Sequence, residues 1–175
     1  MKKFKLTSEF IVDISGVKLF RIKALIEFGN VKAGDLGGYI EKEENLSHMG
    51  DAWVSDDARI SGNAQVFGNA QVFGDAQVFG NARVSGNARV SGDAQVFGDA
   101  RVSGDKDYAY AHGFGSCNRT TTFFRLKDGD VGVRCGCFYG TLAQFRDKVC
   151  ETHGETKKAQ EYLMLADLME IRFKN

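Results

Sequence analysis

The chain has 175 residues, 43% hydrophobic and 26% charged, with 23 basic side chains against 23 acidic ones. That length supports a real core in one domain or two small ones, and the zero net charge excludes both strong nonspecific nucleic-acid binding and an acidic nucleic-acid mimic. Charges interrupt every apolar stretch between Phe4 and Phe28, which reads against a signal peptide or a membrane span and implies a cytoplasmic protein with Cys117, Cys135, Cys137 and Cys150 as thiols.

Residues 1–50 form the first part. FKLTSEFIVDISGVKLFRIKALIEF alternates well enough for a β-hairpin turning near Ser15-Gly16, and the Gly-rich GDLGGYIEKEENLSHMG after it reads as an entrance to the repeats of residues 51–104. Residues 45–50 have the length of one such repeat, with Leu46 and His48 where the repeat has Ala and Val, so they read as a degenerate capping turn.

Residues 51–104 are nine uninterrupted hexads: DAWVSD, DARISG, NAQVFG, NAQVFG, DAQVFG, NARVSG, NARVSG, DAQVFG and DARVSG. A fixed short period of this kind marks a solenoid. Ala in the second place and Val or Ile in the fourth fall on the same side of a short strand, because side chains alternate with period two. Gly followed by Asn or Asp supplies the left-handed backbone of a sharp corner. Three hexads close one triangular coil, so the segment predicts a left-handed parallel β-helix of three coils, only about 10 to 15 Å tall. So short a prism needs both ends capped.

Residues 105–175 form the third part. TTTFFRLKDGDVGVRCGCF reads as a hairpin around Asp128-Gly129. A two-residue turn there pairs Leu126 with Val131, Phe124 with Val133, Thr122 with Cys135 and Thr120 with Cys137 on one face, and sends Phe123, Arg125, Arg134 and Phe138 to the other. Thr141 with Gln144 is a capping box for a helix whose inner side carries Leu142, Phe145 and Val149. A second helix spans about Thr156 to Phe173, with Tyr162, Leu165, Ala166 and Met169 inward. The expected fold is mainly β with an α+β tail: hairpin cap, β-helix, ββαα module.

The stretch LFRIKALIEFGNVKAGDLGGYIEKEENLSHMGDAWV, followed by NAQVFG-type hexads, resembles a family of hexapeptide-repeat proteins met mainly in phages and prophages. The tail, GS(x)3TTTFFRLKDG…VRCGCFYGTLAQF…THG, resembles a module attached to several such phage proteins. It departs from that module where Cys117, not Arg, follows Ser116, the nearby basic residue being Arg119. The resemblance implies a phage accessory protein and carries no established chemistry. It also implies self-association, as β-helices of this type commonly form trimers.

Hexapeptide β-helices include acyltransferases, which use a histidine base, and carbonic anhydrases, which need three histidines on zinc. Here His48, His112 and His153 all lie outside the hexads, and no loop interrupts the repeats to build an acceptor pocket. The chain therefore reads as a non-enzyme without cofactors, acyl transfer or a role as a phage structural component being the alternatives. Cys135-x-Cys137 with Cys150 and His153 has poor spacing for zinc, and the hairpin register buries both strand thiols.

The expected ligand site is the other hairpin face, where Phe123, Arg125, Arg134 and Phe138, extended by Arg119 and the helix start at Thr141, suit stacking a base or gripping a phosphate. Phenylalanines in the fifth place of the hexad, Phe67, Phe73, Phe79 and Phe97, are expected at an oligomer interface, Phe79 stacking on Phe97. By analogy with small phage proteins lacking catalytic residues, the expected role is counter-defence, sequestering a nucleotide second messenger or blocking a host defence protein.

Overall fold

The computed structural model describes residues 1–174. Strands β1 (Phe4–Val12) and β2 (Lys18–Ala24) form the antiparallel hairpin. Its turn is held by the Asp13 carboxylate, which accepts from the Ser15 and Val17 amides and the Ser15 hydroxyl, with Gly16 at φ +85°. Next comes β3 (Leu36–Ile40). The hexads then supply one two-residue strand each: β4 (Trp53–Val54), β5 (Arg59–Ile60), β6 (Gln65–Val66), β7 (Gln71–Val72), β8 (Gln77–Val78), β9 (Arg83–Val84), β10 (Arg89–Val90), β11 (Gln95–Val96) and β12 (Arg101–Val102).

Parallel pairing of each hexad strand with the one eighteen residues on, and of β3 with β5, makes the three faces of a triangular β-solenoid. Face one stacks β3, β5, β8 and β11; face two β4, β7 and β10; face three β6, β9 and β12. The Ala and Val or Ile of every hexad fill the axis and are 0–1% exposed.

The prism has about four coils, one more than the hexads alone predict, because β3 and Leu46 add a layer above β5 and β6. Tyr39 pairs with Arg59, Ile40 with Ile60, and Leu46 bridges Val66. Gly38 stands where a hexad has Ala, and a Cβ there would lie 2.6 Å from the Ala58 carbonyl oxygen. Leu46 occupies the Val place, two residues out of the register expected for 45–50. His48 accordingly leaves the axis, stacks on Phe4 at 4.3 Å and accepts the Lys3 amide at Nδ1.

The two ends of the stack have opposite hydrogen-bonding needs. Each coil donates its N–H groups to the carbonyls of the coil that follows, as Trp53 does to Ala70 and Gln77 to Ala94. The first coil therefore ends in unpaired carbonyls and the last in unpaired amides, and buried backbone groups must find partners.

The N-terminal segment supplies donors. The Tyr39 amide bonds the Ala58 carbonyl, Asn45 Nδ2 bonds Gly62 and Ala64 at 3.1 and 2.9 Å, and Lys3 Nζ bonds Gly50 and Ala52 at 3.1 and 2.7 Å. The C-terminal segment supplies acceptors. Asp105 takes the Arg89 amide, the Tyr108 hydroxyl that of Ser91, Thr122 Oγ1 that of Gln95, and Asp107 those of Ser103 and Gly104. Asn45→Ala strands two buried carbonyls and is expected to cost about 2 kcal/mol in urea unfolding.

The tail contributes β13 (Tyr108–Ala111), β14 (Thr121–Arg125), β15 (Val131–Cys135) and β16 (Phe138–Thr141) in one antiparallel sheet, then α1 (Leu142–His153) and α2 (Lys157–Phe173). This is four strands and two helices, where the sequence suggests two strands and two helices.

The hairpin register also differs by one from the expected pairing: Phe123 faces Val133, Thr122 faces Arg134 and Thr121 faces Cys135. The loop has three residues, not two. Leu126 N–H bonds the Asp130 carbonyl, Gly129 N–H bonds Leu126, and Gly129 takes φ +90°, the position such a loop reserves for glycine. A one-residue slip exchanges the faces. Phe124, Leu126 and Tyr108 thus close the floor of the solenoid core, while Phe123, Val131 and Val133 face the helices and pack with Leu142, Phe145, Tyr162 and Met169. The tail is a sheet sandwiched between solenoid and helices. Thr141 caps α1 reciprocally with Gln144, and Thr156 caps α2.

Candidate functional site: a groove on the first solenoid face

Third-place side chains of a hexad point outward, and on face one they form the column Tyr39, Arg59, Gln77, Gln95. Two elements rise on either side of it. The hairpin tip, with Asp13, Ile14 and Ser15, overhangs the upper part, while Arg134 of β15 and the Gly136 turn project beside the lower part. They enclose about 430 Å3 over Arg59, Gln77, Phe79 and Gln95. A second compartment of about 440 Å3 shares Arg59, Gln77, Gln95 and Gly136 and runs under the 112–120 loop, which brings His112, Asn118 and Arg119. Both volumes fall in the ordinary range for small-ligand sites, about 300–1,000 Å3.

Arg134 lies over two solenoid rings, its guanidinium 5.3 Å from the Phe97 centroid and 5.8 Å from that of Phe79, while its buried Nε has no hydrogen-bond partner. Phe79 and Phe97 lie 4.6 Å apart, tilted by 43°, and Tyr139 meets Phe97 edge-on at 4.7 Å. Arg119 lies across Gly136, where an added Cβ would strike its Nη1. Asp75 and Asp93 line the same groove. Even so, among the described residues none of Arg59, Arg119 and Arg134 forms an ion pair. The loop over the second compartment carries consecutive left-handed residues that are not glycine, Cys117 at φ +61° and Asn118 at φ +47°. Such strain persists only where surroundings enforce it. Here Tyr162 and Glu161 hold the Ser116 and Gly115 amides, and Thr120 holds His112 at 2.9 Å.

The six expected ligand residues do not converge. Phe123 is fully buried in the tail core, on the sheet face opposite Arg134. Arg125 donates to the Phe173 and Gly129 carbonyls at 2.9 and 3.0 Å and so closes the end of α2. Phe138 packs on Phe145 at 5.5 Å and Thr141 is a helix cap, leaving Arg134 and Arg119 in the groove. Sequence reasoning missed Arg59, Gln77 and Gln95, although their eighteen-residue spacing marks them as one column.

The expected interface rings are each half-buried within the chain. Arg83 covers Phe67 and Arg89 covers Phe73, both at 5.5 Å, while the tail covers Phe79 and Phe97. Cys135 turns toward the helices, as expected, with Thr121 Oγ1 at 3.2 Å. Cys137 sits exposed in the β15–β16 turn, because β15 ends two residues earlier, at Cys135. Among the described residues no three His, Cys, Asp or Glu side chains are grouped to hold a metal ion, and no helix is long and apolar enough to cross a membrane.

A family model for the YdcK beta solenoid repeat matches residues 58–80, 76–92 and 94–105. The match runs from the second hexad to the ninth and, with the fold, supports a β-solenoid repeat protein. No curated protein is significantly similar to the chain.

Proposed function

We propose that the protein is a non-enzymatic binding scaffold whose first solenoid face holds an anionic, ring-bearing small molecule of the nucleotide class. The observation that carries this reading is the set of three arginines, Arg59, Arg119 and Arg134, that line one groove with no ion pair among the described residues, one of them over aromatic rings. Guanidinium groups suit phosphate oxygens, and the Phe79 ring with the Gln77 and Gln95 amides suits a base. The resemblance to phage hexapeptide-repeat proteins suggests the setting: a phage accessory protein acting in the bacterial cytoplasm that withholds a nucleotide signal from host defence. Self-association as a trimer belongs to the same reading and is tested by solution mass.

Native mass spectrometry of protein purified from cells making cyclic-nucleotide signals is expected to show a retained nucleotide. Arg59→Gln and Arg134→Gln are each expected to weaken it about tenfold by titration. Absence of both retained ligand and titratable binding sinks the proposal. Co-purification of a host protein that tolerates Arg134→Ala would replace it with a protein-blocking role.

A further inference from the structure

Behind the groove, inside the tail, lies a second cavity with different chemistry. It encloses about 240 Å3 between the end of the β-sheet and the two helices, walled by Phe138, Phe145, Val149, Tyr162 and His153. At protein-interior packing density that space accepts about ten to thirteen non-hydrogen atoms, one or two fused rings. The walls are ring edges and faces: Phe138 meets Phe145 at 5.5 Å, Phe145 meets Tyr162 at 5.6 Å, and His153 meets Tyr162 at 5.8 Å.

The charged side chains that line it have one sign. Arg119 and Lys148 are among the eleven residues that line it, and none of the eleven is acidic, whereas both compartments of the groove carry aspartates. Lys148 also pairs with Glu151 at 2.9 Å, and both partners are exposed. Such surface pairs are weak and exchange readily. At the inner end the Tyr162 hydroxyl is held by Ser116: it accepts the Ser116 amide at 3.0 Å and lies 3.2 Å from the Ser116 hydroxyl and 3.4 Å from the Ser116 carbonyl. Burial raises the phenol pKa above its ordinary value, so Tyr162 stays neutral and adds no negative charge to the cavity.

We infer that this cavity is a separate binding site for a small aromatic carboxylate, its ring between Phe138, Phe145 and Val149 and its carboxylate at Lys148 and Arg119. Of these five side chains only Arg119 also lines the groove, so the two sites are separable by mutation.

The probe is 2-naphthoate, titrated into the full chain by calorimetry. The expected result is one site per chain, with binding at least tenfold weaker for the neutral 2-naphthamide. Lys148→Gln is expected to weaken 2-naphthoate about tenfold, and Thr152→Trp, at an exposed residue on the rim, to abolish it with the circular dichroism spectrum unchanged. Arg59→Gln and Arg134→Gln should leave it unchanged, which separates this site from the groove. No saturable binding, equal binding of the amide, or binding that survives Thr152→Trp overturns the proposal.

Discussion

Phe124→Ala is expected to lower the free energy of unfolding by about 3–5 kcal/mol, the range for deleting a fully enclosed phenylalanine. Phe124 is 0% exposed and, with Tyr108 and Leu126, closes the lower end of the solenoid axis. Its surroundings have little room to collapse. Gly132 lies directly across the strand, and a Cβ there would sit 2.5 Å from the Phe124 ring.

The loss should also be local in a specific way. Thr122, on the same strand β14, accepts the Gln95 amide of the last coil, so loosening this sheet exposes amides of β11. Hydrogen exchange should therefore speed up at residues 95–97 in Phe124→Ala. Phe123→Ala removes an equal volume from the helix side and should speed exchange in α1 and α2 instead. A loss under about 1 kcal/mol for Phe124→Ala, or the same exchange pattern in both variants, would mean that the tail does not seal the solenoid.

The contrast between these neighbours shows which parts of the fold are legible in sequence. The hexads specify their own structure because they repeat one choice: small, then branched in all nine, then a corner residue that is glycine in eight and Asp56, at φ +55°, in the first. The added coil is only faintly legible: Gly38 and Ile40 match the small and branched places of the repeat, but they stand twenty residues, not eighteen, before Ala58 and Ile60, and Leu46 lies two residues out of the register that residues 45–50 suggest. The two helices and the Thr141 cap are legible because their signals are local. The faces of the tail sheet are not. They depend on whether Lys127, Asp128 and Gly129 form a three-residue loop or Asp128 and Gly129 a two-residue turn, and one residue moves Phe123 from Arg134's side to the core.

The groove inherits this difficulty. Arg134 meets Phe79 and Phe97 only because the tail docks on face one, and docking between distant segments leaves no periodic trace. The column Arg59, Gln77, Gln95 does leave one.

The cap at the other end of the axis should announce itself in the pH dependence of stability. Lys3 is 1% exposed, sits 4.6 Å over the Phe28 ring and donates to two carbonyls of the first coil. Burial disfavours its charged form, Asp51 offsets this in part, and the pKa falls from 10.5 to about 8. The unfolded chain keeps the proton up to about pH 10.5, whereas the native state gives it up near 8. Between those values the unfolded state binds more protons, so stability rises with pH across that window and this contribution is flat below it. A neutral amine still has two N–H groups for the two carbonyls, so deprotonation leaves the cap in place. The full shift corresponds to roughly 3 kcal/mol as a ceiling. Lys3→Met lacks the titrating group, and groups elsewhere that titrate in this window are common to both proteins. In chemical unfolding the wild type is therefore expected to gain about 2–3 kcal/mol relative to Lys3→Met between pH 7.5 and 10.5. A constant difference across that range would place the Lys3 ammonium in contact with water and remove it as the donor that closes the second face.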